Sequence, residues 1–170
     1  MLKTVTSAAA NKLLKSLEEE KSYWRTIEQN SCVYTAAVNE NPVVPEYDYA
    51  SVAEKITMID KKIRKIKHAL NRHNTVSMVH FGNESMYVDE ILIHMAQLSK
   101  RKSVLDEMRR RLPKRRLQSV SFRSNIVEYE YTNYDIDLVK KEFDAVSDRL
   151  IQLQMALDKF NQTETFEIDV

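Results

Sequence analysis

The stretch Tyr49-Ala-Ser-Val-Ala-Glu-Lys-Ile-Thr-Met-Ile-Asp-Lys-Lys-Ile-Arg-Lys-Ile-Lys-His-Ala-Leu70 decides the fold. Its apolar positions Tyr49, Val52, Ile56, Ile59, Ile63, Ile66 and Leu70 follow a strict 3,4,3,4 spacing. A helix turns once in about 3.6 residues, so this spacing holds one narrow seam on one side of a rod. A half-buried strand would alternate with period two instead. The same spacing returns in Ile136, Val139, Phe143, Val146, Leu150, Leu153, Leu157 and Phe160. Two such rods need other rods to pack against lengthwise.

Working outward, Asp48 is placed to cap a helix over about 48–72, because its carboxylate can accept an otherwise orphaned backbone N–H. The closing turns of that helix carry Lys61, Lys62, Arg64, Lys65 and Lys67, the sign favoured at a helix C-terminus. Upstream, Asn39-Glu-Asn-Pro-Val-Val-Pro45 is a stop signal, since proline cannot donate to a helix and biases its predecessor toward extended backbone. A first helix is therefore predicted over about 3–38. Ala10, Leu13, Leu17, Trp24, Ile27, Tyr34 and Val38 form its inner face, and Cys32 is a small packing residue on it.

Downstream, Thr75–Phe81 is β-branched and aromatic and predicts a short strand, with Gly82 and Asn83 turning the chain. Asn83 or Ser85 is placed to cap a third helix over about 86–112, with Val88, Ile91, Met95, Leu98, Leu105, Met108 and Leu112 inward and Pro113 at its end. Residues 117–134 place Val120, Phe122, Ile126, Tyr129 and Tyr131 in near alternation around Arg123-Ser124-Asn125, which predicts a hairpin. An isolated hairpin is marginal in water, so a partner is expected in 75–81, a helix face or another subunit. Asp135 caps a fourth helix over about 135–160, and the tail from residue 161 reads as irregular. The expectation is a mainly α fold. It is a single domain, 1–170, built as an antiparallel bundle of four long helices with coiled-coil-like seams and a small β-hairpin element.

Composition narrows the function classes. Of 170 residues only Gly82 is glycine, whereas phosphate-cradling loops need several glycines for close backbone approach. With Cys32 as the lone cysteine, neither an internal disulfide nor a four-cysteine zinc site can form. No run of 18 apolar residues occurs. Ala8–Ala10 is followed by Asn11 and Lys12 rather than by a cleavage site, so a cytoplasmic protein is expected.

The four histidines, His68, His73, His80 and His94, lack the spacing of helical-bundle metal sites, and no metal or cofactor is expected. His68 and His73 lie at a helix end, where a partly charged imidazole is favourable. No serine or carboxylate is marked as activated, so no catalytic residue is assigned and an enzyme is not expected. The net charge of +1 conceals a segregation of sign. Residues 100–116 hold nine basic and two acidic residues, and 117–170 hold five and eleven. Lys100, Arg101, Arg109, Arg110, Arg111, Lys114, Arg115 and Arg116 could neutralise phosphates, beside Phe122, Tyr129 and Tyr131 as stacking surfaces. Against this, a helix C-terminus favours cations, and nucleic-acid binders are usually basic as whole domains.

The order of four landmarks resembles a family of uncharacterised bacterial proteins known as septicolysin-like. They are Glu40-Asn-Pro-Val-Val-Pro-Glu-Tyr47, Ile63-Arg-Lys-Ile-Lys-His-Ala-Leu-Asn71 closing on Asn74-Thr75, Ile126-Val-Glu-Tyr-Glu-Tyr-Thr-Asn-Tyr-Asp135, and Ala156-Leu-Asp-Lys-Phe-Asn-Gln-Thr-Glu164. Gln162 departs from the tryptophan that many relatives carry there. The resemblance implies a helical fold and self-association and carries no reaction or catalytic residue with it. Its name implies a membrane-lytic activity, which helices rich in both charge signs do not favour. The function expected is a non-catalytic structural or protein-interaction module. It forms a homo-oligomer, a dimer foremost, with nucleic-acid binding through 100–116 as the alternative.

Overall fold

Thr6 marks where the chain first becomes helical: its Oγ1 accepts the Ala9 N–H at 3.2 Å. The computed structural model describes residues 2–117 and 127–169. It contains four helices and small antiparallel strand pairs, in the order β1 Leu2–Thr6, α1 Ser7–Ser31, α2 Tyr49–Val76, β2 Met78–Phe81, β3 Glu84–Tyr87, α3 Val88–Arg109, β4 Lys114–Arg116, β5 Tyr129–Tyr131, α4 Ile136–Thr163 and β6 Thr165–Asp169. The chain is thus mainly helical. It divides into two compact units, one of residues 1–77 with 158–170 and the other of residues 78–157.

In the first unit α1 and α2 run antiparallel. Lys21 reaches Asp60 at 2.6 Å and Lys55 lies 3.8 Å over the Trp24 ring. Ala10 and Leu14 of α1 are buried with Ile59, Ile63 and Ile66 of α2 and Ile168 of β6, and Trp24, Leu70 and Phe166 close the edges. Each buried isoleucine contributes roughly 1.5–3 kcal/mol relative to exposure. The α2 seam is the one expected, except that Tyr49 is exposed.

The predicted first helix, about 3–38, differs at both ends. It stops at Ser31 because its support stops: with Lys21 opposite Asp60 and Trp24 opposite Lys55, Ser31 falls opposite Tyr49, where α2 begins. A helix with nothing to pack on gains little from propagation, and β-branched Val33 and Thr35 do not help it. Tyr34 and Val38 are consequently exposed rather than inward, Leu14 is more buried than Leu13, and Cys32 is an exposed C-cap.

At the other end, Leu2–Thr6 is a strand that pairs with β6, from Leu2 opposite Asp169 to Thr6 opposite Thr165. The tail expected to be irregular therefore forms β6, with Ile168 buried on the first unit's core. Both strands are five residues long, and each exists because the other end of the chain supplies its hydrogen bonds.

Asp48 and Asp135 cap as expected: Asp48 Oδ1 accepts from Ala50 N at 3.1 Å, and Asp135 Oδ1 from Asp137 N at 2.9 Å and Leu138 N at 3.2 Å. The third helix starts later than predicted. Its entry is fixed by Glu90, whose carboxylate accepts the Tyr87 N–H at 3.2 Å, while Asn83 and Ser85 belong to the β2–β3 hairpin. That hairpin turns on Gly82 at φ 60°, the positive value at the first turn residue that a type II′ turn requires. So β2 pairs with β3, not with the 117–134 segment.

In the second unit Val79, Val88, Ile91, Leu105, Val139, Leu153 and Leu157 are buried, whereas Leu112, past the end of α3, is exposed. Arg101 reaches Glu142 at 2.7 Å and Tyr134 Oη donates to the Met108 carbonyl at 2.8 Å, so α3 and the N-terminal half of α4 run antiparallel. Arg149 joins α4 to the hairpin through a two-point pairing with Glu84, one arm at 2.9 Å. No helix among the described residues is long and apolar enough to cross a membrane.

Candidate functional site in the basic hairpin

Pro113 ends the helical run, and the basic residues after it continue as a strand rather than as a helix end. β4 pairs antiparallel with β5: Lys114 opposite Tyr131, Arg115 opposite Glu130, Arg116 opposite Tyr129. Leu117 N donating to Glu128 O at 2.9 Å and Thr132 N to Pro113 O at 3.2 Å extend the ladder one step each way. The predicted hairpin over 117–134 therefore begins earlier, inside the basic run. Val120, Phe122, Ile126 and the 123–125 turn lie outside the described residues.

Strand alternation sorts the side chains onto two faces. Lys114 lies over Tyr129 at 4.1 Å and Tyr131 at 5.4 Å, an exposed cation–aromatic cluster. On the opposite face Glu130 receives Arg115 at 2.9 Å and Arg111 at 3.6 Å. Next to it a groove of about 380 Å3 is lined by Arg110, Arg111, Leu112, Arg115 and Tyr131, with Glu107, Glu130 and Thr132.

The cations singled out in the sequence are thus brought together only in part. Arg109 and Arg110 both reach Asp106, at 2.6 Å each. The hydrogen bond from Arg109 foremost, then the charge of Arg110, holds the Asp106 carboxyl below the usual range. Arg109 also lies 3.9 Å over the Phe143 ring. Arg101 is held by Glu142. Among the described residues Lys100 and Arg116 make no ion pair, and both are exposed. The site is an open groove of mixed charge with surplus positive charge on its rim. Nothing in it aligns a nucleophile with a base, and no three potential metal ligands converge among the described residues.

One residue behaves differently from its sequence reading. His73 does lie in the last turn of α2, but burial there disfavours its charged form. Its ring stacks between Phe166 at 4.6 Å and Phe160 at 5.3 Å, with Nδ1 3.2 Å from the Ser77 hydroxyl and Nε2 buried without a partner. Burial lowers its pKa, and the opposing pull of Glu164 is the smaller effect. The helix-end position was visible in the sequence; the two phenylalanines, contributed by α4 and β6, were not.

No family model matches the chain, and no curated protein matches it. Among solved structures, a functionally unknown conserved protein from Corynebacterium diphtheriae has a similar fold. The TM-score is 0.69 at 15% identity, covering 96% of this chain and 99% of that one. At that identity the likeness is one of fold alone.

Proposed function

We propose that this protein is a non-catalytic interaction module, of the septicolysin-like kind and cytoplasmic, that associates with further copies of itself, a dimer foremost. The observation that carries the reading is α3. Val88, Ile91 and Leu105 are buried on one side, while Leu92, Ile93 and Val104 are 45%, 60% and 49% exposed. A helix apolar on more than one side is ordinarily covered on each, and Ile93 and Val104 lie three turns apart on one line. The antiparallel helix pair within each unit, with the seams of α2 and α4, supports a bundle of four helices as the body of the module.

Sedimentation at two protein concentrations tests this. The wild type is expected to gain mass with concentration, and I93E/V104E to lose that gain while keeping its helical circular dichroism, because both positions are already half in water. A wild type that is monomeric at every concentration overturns the reading.

A second reading, single-stranded nucleic-acid binding, is favoured by the exposed Lys114–Tyr129–Tyr131 cluster with unpaired Arg116. Base stacking on aromatics beside cations is the chemistry required. It is weakened by the carboxylates of Asp106, Glu130 and Glu142, which already occupy most of the arginines. Absence of binding to short RNA or single-stranded DNA at low salt removes it.

A further inference from the structure

We propose that the loop of residues 33–46 in one copy docks into the basic groove beside the β4–β5 hairpin of a second copy. This contact rests on the self-association proposed above and names one of its surfaces.

The loop is unusual for what it exposes. Between Ser31 and Tyr49 it carries Val33, Tyr34, Val38, Val43 and Val44 into water, with Glu40, Glu46 and Asp48 as its only charges. Pro42 and Pro45 pre-set an extended backbone, so ordering it costs less chain entropy than an ordinary loop would. A loop that exposes five large apolar side chains among purely acidic charges is built to be covered.

The groove has the complementary character. Six cations stand between Arg109 and Arg116, and Asp106 and Glu130 answer four of them in shared pairs. Exposed Leu112 and Tyr131 form apolar lining between the arginines. Val43 and Val44 can lie on those two side chains while Glu40 and Glu46, on either side, reach the rim arginines. A continuous phosphate chain would meet Glu107 and Glu130 as well as the arginines. Two separated carboxylates flanking an apolar centre fit better than that.

The test is sedimentation of full-length chains. E40K/E46K and R111E/R115E are each expected to weaken self-association by about tenfold, the loss of two charge pairs at a rim. Mixing the two variants is expected to restore association as a mixed species, because the lysine loop then meets the glutamate groove. V43S/V44S alters only exposed residues outside any element and is expected to weaken it too, without touching the fold. Loop variants that sediment as the wild type, while I93E/V104E dissociates, overturn the docking and leave self-association standing. A wild type monomeric at every concentration overturns both.

Discussion

At the scale of single residues, His73 makes the sharpest statement about pH. Its folded pKa lies below the ordinary 6.5 because burial between Phe160 and Phe166 disfavours the imidazolium. The unfolded chain therefore takes up the proton first as pH falls, and stability declines from about pH 6.5 downward. Above that range His73 is neutral in both states and contributes no slope. Thermal unfolding from pH 8 to 5 should show a flat upper arm and a falling lower one, and H73F, which keeps the aromatic stack, should flatten the lower arm. Asp169 acts in a separate window. The Lys65 ammonium at 2.7 Å draws its pKa down to about 2, so this contribution is full above about pH 4 and is lost as pH falls toward 2. Lys65 is the largest but not the sole cause of that shift, so K65M should shrink the second fall and leave the first. Neither window could be read from the sequence, because Lys65 and Asp169 are 104 positions apart.

At the scale of elements, the sequence was most legible where one segment carries its own period and its own cap. The α2 seam and the Asp48 and Asp135 caps needed no information from elsewhere. It was least legible where an element exists only through a distant partner. β1 and β6 are short, have ordinary composition, and meet across nearly the whole chain; Lys3 to Thr6 was accordingly absorbed into a helix. The end of α1 failed for the same reason, since only the position of Tyr49 fixes it. Two substitutions separate these cases. Ile168 is 1% exposed in the β1–β6 ribbon, and I168A should cost about 2–5 kcal/mol and strip hydrogen-exchange protection from both strands. G82A meets no atom within 4 Å of the new Cβ, so its cost is that of the positive φ alone, about 1–2 kcal/mol. A melting temperature left unchanged by I168A would mean the ribbon contributes no core packing.

At the scale of the whole molecule the question is what the charges are for. The segregation of basic and acidic residues along the chain was visible from the start, and the structure closes much of it into pairs: Lys21–Asp60, Lys65–Asp169, Lys67–Glu18, Arg101–Glu142, Arg149–Glu84. These pairs are partly or largely exposed, and such pairs are worth about 0–1 kcal/mol each. The buried apolar seams, at roughly 1.5–3 kcal/mol per side chain, outweigh them. Salt should therefore leave the fold nearly untouched while weakening any contact between copies that depends on rim charges. In one series from about 0.05 to about 1 M sodium chloride, where the screening length falls from more than 10 Å to about 3 Å, the melting temperature should move by a few degrees at most. The sedimenting mass should fall over the same range, and the fall should be absent in E40K/E46K, which has already lost the screened contact. A melting temperature that collapses with salt would mean that ion pairs, rather than seams, hold the helices. A mass that rises with salt would mean that apolar faces alone bring the copies together.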